Sequence, residues 1–78
     1  MARKQKIEWQ EDANEMKEQY QKEKDRHKRT RLHALWLVRT GKPMSTVAPI
    51  VGAHYRTVQE WISWYRTGGL VEVLKHKR

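Results

Sequence analysis

Apolar residues recur at helical spacing in two separate parts of the chain. The first series is spaced by four, three and four residues and lies near the N-terminus: Trp9, Ala13, Met16 and Tyr20. Residues 21–31 contain no aliphatic or aromatic side chain, and the apolar pattern restarts at Leu32. No glycine or proline occurs before Gly41, and good helix formers dominate this half of the chain. The pattern therefore predicts one long helix over about residues 8–39, with only its last two turns in the globular core.

A second, shorter helix is expected after the Gly41-Lys42-Pro43 stop signal. It should cover about residues 46–51. With Thr46 as its N-cap, Pro49 falls in the first turn, where a missing backbone N–H costs little.

A tight turn at Gly52-Ala53 leads into a third helix over about residues 55–67. Its apolar residues follow the spacing i, i+3, i+4 and i+7: Val58, Trp61, Ile62 and Tyr65. Gly68-Gly69 should end this helix. Residues 70–74 are apolar enough to dock as a further short helix or a strand.

These elements predict an all-α protein with three parts. Residues 1–30 form a charged helical segment, of which residues 1–20 should be dispensable for folding. Residues 31–74 form a three-helix, homeodomain-like or paired-like helix-turn-helix domain, and residues 75–78 form a basic tail. Because the N-terminal apolar stripe is separated from the domain, Trp9 is expected to pack against another chain. Trp36 and Trp61 are expected in the core, and Trp64 half-exposed along a phosphate backbone.

Charge indicates the class of partner. Seventeen Lys and Arg residues against nine Asp and Glu give a net charge of +8, which favours nucleic acid. Without cysteine there is neither a disulfide framework nor a thiolate metal site. The histidines, which lack zinc-ligand spacing, should serve on the surface or as caps: His27, His33, His54 and His76. We therefore expect no metal, cofactor or small-molecule substrate.

The apolar runs and the N-terminal residues indicate where in the cell the protein is expected. A membrane helix needs about 20 apolar residues, and the longest unbroken apolar run is Ala34 to Val38. No secretory signal pattern follows the N-terminus. The sequence thus predicts a cytoplasmic, nucleoid-associated protein.

Four spaced residues suit a helix-turn-helix: Ala48, Gly52, Val58 and Trp61. A small side chain at Ala48 allows two short helices to cross closely. Gly52 permits the positive φ of the turn, while Val58 and Trp61 fill the angle between the helices. A plain three-helix bundle would use similar residues, but the basic charge favours DNA binding.

The chain also resembles the N-terminal DNA-binding helix-turn-helix of bacterial mariner-like insertion-sequence transposases. The residues that carry the resemblance are the segment 31–42 (RLHALWLVRTGK), Val47-Ala48, Val51-Gly52, Thr57-Val58, Trp61, Tyr65-Arg66 and Gly69-Leu70, preceded by Trp9-Gln10-Glu11. The resemblance implies that the third helix enters the major groove of terminal inverted repeats. It implies that the residues facing DNA are Tyr55, Arg56, Gln59 and Ser63. His54 stands where a Ser or Thr cap is usual.

The helical pattern agrees with that assignment, because the residues opposite the apolar stripe include Arg56, Gln59, Glu60 and Ser63. Arginine reads guanine and glutamine reads adenine through paired hydrogen bonds. The candidate phosphate contacts are Lys28, Arg29, Arg31, Arg39, Lys42, His54 and Arg66. The acidic metal-binding triad of the transposase catalytic domain is not in this sequence, so no catalysis is expected.

Alternative functions stay open at this point. The chain could be a truncated transposase or a free-standing regulator that keeps the module. It could instead be a helical interaction module that pairs with a copy of itself through the N-terminal stripe and only tethers nucleic acid. An RNA-binding role has no recognition signature in the sequence.

Overall fold

The computed structural model describes residues 9–75 and consists of four helices. These are α1 (Ala13–Lys22), α2 (Arg26–Arg39), α3 (Met44–Val51) and α4 (Tyr55–Lys75). No strand occurs within the described residues, so the all-α prediction is confirmed. Two predicted features lie outside the described residues. These are the helix start at residue 8 and the last three residues of the basic tail, which include His76.

The prediction of a single long N-terminal helix is wrong, because the chain turns back between α1 and α2. Glu23 leaves the helix with φ −70° and ψ 126°. Asp25 then caps α2, its Oδ1 accepting from the backbone N–H of His27 at 2.9 Å and of Lys28 at 3.1 Å. The hydrogen bond from Lys28 is the main cause that holds the pKa of Asp25 below its ordinary value. A side chain that satisfies free N–H groups in this way starts a new helix.

The start of α1 is fixed by a capping box between Asp12 and Glu15. Asp12 Oδ1 accepts from the N–H of Glu15 at 2.8 Å, and Glu15 Oε1 accepts from the N–H of Asp12 at 3.2 Å. This reciprocal pair begins the helix at Ala13.

The core includes all four helices. Its buried apolar residues are Met16, Leu32, Ala34, Leu35, Leu37, Val47, Ala48, Val58, Trp61, Ile62, Tyr65, Leu70 and Val73. Met16 is 0 % exposed, so the expectation that the N-terminal stripe lies apart from the core is wrong. Folding back at residues 23–25 lets α1 bury this face on α2.

The segment before α1 packs against α4 in the same chain. The Trp9 ring lies 5.0 Å from the ring of Tyr65. The Tyr65 hydroxyl donates to Glu11 Oε1 at 2.6 Å and accepts from the N–H of Gln10 at 2.8 Å. Burial is the main cause that raises the pKa of Tyr65. Trp9 therefore has its packing partner within the chain, which corrects the expectation of another chain.

Helix α3 begins at Met44, earlier than predicted. The carbonyl of Pro43 accepts from the N–H of Thr46 at 2.9 Å and of Val47 at 3.0 Å. Pro49 consequently lies inside the helix, where its missing N–H leaves the carbonyl of Ser45 without its usual partner. Ser45 is exposed, so solvent can satisfy that carbonyl and the early start is tolerated.

A kink at Gly69 divides α4. Its φ of 74° and ψ of −163° are not helical, and glycine adopts this conformation readily. The predicted stop at Gly68-Gly69 is thus confirmed as a break at Gly69 between two helical parts, and the segment after it is a short helix, one of the two alternatives predicted for residues 70–74. The chain continues in helical form to Lys75, with Leu70 and Val73 buried.

Candidate nucleic-acid interface

Helices α3 and α4 are joined by three residues, Gly52, Ala53 and His54, as in a helix-turn-helix. Gly52 has φ 73° and ψ 33°, the left-handed conformation predicted for it. The N–H of Gly52 and that of Ala53 both donate to the carbonyl of Ala48, the latter at 2.9 Å. These bonds fix the direction in which α4 leaves the turn.

One face of α4 is buried and the opposite face is exposed. The predicted inner residues Val58, Trp61, Ile62 and Tyr65 are all buried. The four predicted base-contacting residues are exposed: Tyr55, Arg56, Gln59 and Ser63. The structure therefore brings these four side chains together along the first part of α4. Their contact with bases stays a prediction.

The candidate phosphate contacts fall into two groups. Five of them are exposed: Lys28, Arg29, Lys42, His54 and Arg66. Arg31 and Arg39 are instead engaged within the protein: Arg31 is buried, which corrects its assignment, whereas Arg39 is half-buried and its contact with phosphate stays a prediction.

Arg31 is only 2 % exposed. Its Nη1 donates to the carbonyl of Val73 at 2.9 Å, and its Cζ lies 5.6 Å from the ring centroid of Trp64. Burial lowers the pKa of Arg31, and the nearby Asp25 carboxylate opposes that shift. This arginine therefore holds the C-terminal end of α4 against α2.

Arg39 secures the N-terminal segment. Its Nε donates to the carbonyl of Glu11 at 3.4 Å, and its Cζ lies 5.9 Å from the ring centroid of Trp9. The side chain is half-buried. Its position at the end of α2 therefore ties the N-terminal segment to this helix.

Three tryptophans of α2 and α4 differ in burial. Trp61 is in the core, as predicted, whereas Trp36 is half-buried in an aromatic cluster at the α1–α2 interface. Its ring lies 5.5 Å from that of Tyr20 and 6.1 Å from that of His33. Burial lowers the pKa of His33. Trp64 is half-buried, as predicted, and carries the guanidinium of Arg31 on its ring.

A cleft beside the turn between α3 and α4, here called the turn cleft, was not predicted. Its walls are the first turns of α2 and the residues of the turn: Arg26, His27, Thr30, Arg31, Val51, Gly52, Ala53 and Trp61. The basic composition of the Lys22–Arg31 stretch was visible in the sequence. The start of α2 at Arg26 determines which of these cations face the turn.

Other kinds of site receive no support from the described part of the chain. No described helix is long and apolar enough to cross a membrane. Residues 9–75 contain no group of three His, Cys, Asp or Glu residues placed to hold a metal ion.

A family model described as a homeodomain-like domain matches residues 25–74. The match begins at Asp25, the cap of α2, and covers the whole helix-turn-helix. No curated protein and no solved structure shows significant similarity to the chain. Small all-helical domains of this kind are typical of DNA-binding proteins without catalytic activity.

Proposed function

The chain belongs to the homeodomain-like domain family, and on that premise we propose that it binds double-stranded DNA sequence-specifically. In this proposal the first turns of α4 lie in the major groove, which is wide enough to admit a helix. The protein acts by binding alone, and its place of action is the nucleoid.

The observation that carries the proposal is the division of α4 into two faces. Val58 and Ile62 are 0 % and 2 % exposed, so this helix is held firmly by its inner side. Arg56 and Gln59 are exposed on the other side, within its first two turns. A rigid helix that presents hydrogen-bonding side chains from its N-terminal part is the usual arrangement for reading base edges.

The exposed side chains supply complementary chemistry. Arg56 can donate two hydrogen bonds to guanine, and Gln59 can both donate to and accept from adenine. Ser63 can bond to either kind of base. Tyr55 is 47 % exposed at the start of α4 and offers a ring for apolar contact with a thymine methyl group. These four residues define the proposed reading surface.

Phosphate contacts would orient this surface on the duplex. Lys42 lies between α2 and α3, His54 directly precedes α4, and Arg66 lies further along α4. All three are exposed. Such contacts carry no sequence information but set the register and make affinity strongly dependent on salt.

The biological role that we propose is that of a transposase-type terminal-repeat-binding module, or of a regulator derived from one. It is supported by the residue pattern from Arg31 to Leu70 that resembles mariner-like insertion-sequence transposases. Terminal inverted repeats near the coding sequence would support the first role. A selected binding site in a promoter would support the second.

Selection of binding sites from a pool of random duplexes tests the proposal directly. We expect a defined sequence motif to be enriched. If the selected pool stays random while the protein still binds duplex, the proposal of sequence-specific reading is wrong.

Self-association through the N-terminal stripe receives no support from the fold. Met16 is buried, and Tyr20 stacks on His33 of the same chain with ring centroids 4.7 Å apart. Because these residues are used internally, they leave little apolar surface for a second copy.

A further inference from the structure

From the turn cleft we propose a DNA contact that the sequence pattern did not indicate: Arg26 and His27 bind a backbone phosphate beside the groove that α4 enters. The inference rests on the proposed function. It concerns orientation of the protein on the duplex, since a phosphate contact positions a protein without reading bases.

The turn cleft lies between two elements of the fold. The first turns of α2 form one wall, and Val51, Gly52 and Ala53 form the other. The buried residues Arg31 and Trp61 close its inner end. The space measures about 250 Å³, and it opens to solvent beside Arg26 and His27, both of which are exposed.

The charges around the cleft favour an anion. Arg26 offers guanidinium N–H groups and His27 offers an imidazole, while the buried cation of Arg31 lies behind them. Of the described residues that line the cleft, none is acidic. The neighbouring Asp25 carboxylate already accepts from the N–H groups of His27 and Lys28.

Thr30 shapes the wall and does not donate to the anion. Its hydroxyl donates to the carbonyl of Arg26 at 2.9 Å. The recognition of phosphate would therefore come from Arg26 and His27, whose side chains lie one turn before Thr30 on α2.

The turn cleft lies close to the start of α4. Ala53, in its wall, is two residues before Tyr55, the first residue of α4. Two residues of backbone span at most about 7 Å, and the major groove is about 12 Å wide. A helix that enters the groove at Tyr55 thus brings the turn cleft alongside one of the two phosphate backbones that border the groove.

Arg26 differs in position from Lys28, one of the cations that the sequence pattern favoured. Lys28 is rotated by about 200° from Arg26 around α2, so the two side chains project from opposite sides of the helix. Neither Lys28 nor Arg29 lines the cleft. We assign the phosphate contact of this stretch to Arg26 and His27 in their place.

A matched pair of variants, Arg26→Ala and Arg29→Ala, tests the assignment. Each removes one exposed cation from the first turns of α2, and circular dichroism should show both folded. On a selected duplex, Arg26→Ala should weaken binding about tenfold, as expected when a charged hydrogen bond is lost. It should also make the slope of log K against log salt shallower by about one. Arg29→Ala should leave the slope unchanged.

Neutral methylphosphonate linkages, placed one at a time in the duplex, locate the contact. At the contacted position, Arg26→Ala should cause no further loss of affinity. The assignment is overturned if Arg26→Ala binds like the wild type, if Arg29→Ala changes the slope in its place, or if no single linkage abolishes the Arg26→Ala effect. If the wild type keeps its base preference in those cases, the proposed function stands and only the cleft assignment fails. If the wild type does not bind duplex DNA at all, both fail.

Inorganic phosphate distinguishes a backbone contact from a general anion site. In NMR titrations, the signals of Arg26 and His27 should move with duplex and stay nearly unchanged with the same concentration of inorganic phosphate. Equal shifts with both ligands would overturn the assignment to DNA.

Discussion

The hydroxyl of Tyr65 lies 2.6 Å from Oε1 of Glu11, a residue 54 positions away in sequence. Through this bond, and through the bond that Tyr65 accepts from Gln10 at 2.8 Å, the segment before α1 holds the inner face of α4. The N-terminal region is therefore part of the support of the proposed recognition helix.

Replacing Tyr65 with phenylalanine should lower the free energy of unfolding by about 1–3 kcal/mol. The ring and its contact with Trp9 remain, but the N–H of Gln10 and the carboxylate of Glu11 lose their partner. Urea denaturation measures the change. Tyr55→Phe is the control, since Tyr55 is 47 % exposed and its change should stay within about 0.5 kcal/mol. Equal effects of the two variants would show that the hydroxyl contacts of Tyr65 do not contribute.

Met16→Ala should destabilise the protein by about 2–5 kcal/mol, the range for truncating a large buried side chain. Met16 is 0 % exposed in the core that includes α2 and α4.

Because Met16 belongs to this core, a chain that lacks residues 1–20 should lose cooperative thermal unfolding, contrary to the expectation from sequence. A cooperative transition near the wild-type temperature would restore the view that this segment is dispensable.

Arg31→Ala should reduce stability and leave the salt dependence of DNA binding unchanged. The substitution leaves the carbonyl of Val73 without the donor that now lies 2.9 Å away, which costs about 1–3 kcal/mol. Arg31→Lys should restore only part of the lost stability, because an ammonium group cannot reproduce the planar guanidinium over Trp64. A shallower salt slope in a well-folded Arg31→Ala protein would show that Arg31 does contact phosphate.

The free energy of unfolding should decrease as pH falls below the ordinary histidine pKa of 6.5, because of His33. Burial lowers its pKa in the folded state, so the unfolded chain takes up the proton first. The stabilisation is present above pH 6.5 and is lost as pH falls through the lower, folded-state pKa. Asp25, whose pKa is lowered from 3.8, acts in a separate and more acidic window. His33→Gln should flatten the dependence between pH 7 and 5, as measured by urea denaturation at a series of pH values, and an unchanged dependence would contradict this assignment.

The reading face of α4 could be predicted from sequence because its periodicity is regular and because Gly52 marks the turn. The break between α1 and α2 could not be predicted in the same way. Glu23 and Lys24 are good helix formers, and Asp25 acts as a cap only because the buried face of α1 finds its partner on α2. Arg31 and Arg29 look alike in the sequence. Only the register of α2 shows that Arg31 points inward, and this tertiary information is absent from local patterns.

Arg56→Ala tests the central claim most directly, with binding-site selection performed on the variant and on the wild type. Arg56 is exposed near the start of α4, and a bidentate contact with guanine discriminates by about 1–3 kcal/mol. The variant should bind the wild-type site about ten- to a hundredfold more weakly and lose its preference at one base pair. Gln59→Ala should do the same, with a smaller loss, at a neighbouring pair. Arg66→Ala should weaken all sequences about equally. If Arg56→Ala lowers affinity uniformly and the selected motif is unchanged, α4 does not read sequence through this residue, and the account is contradicted.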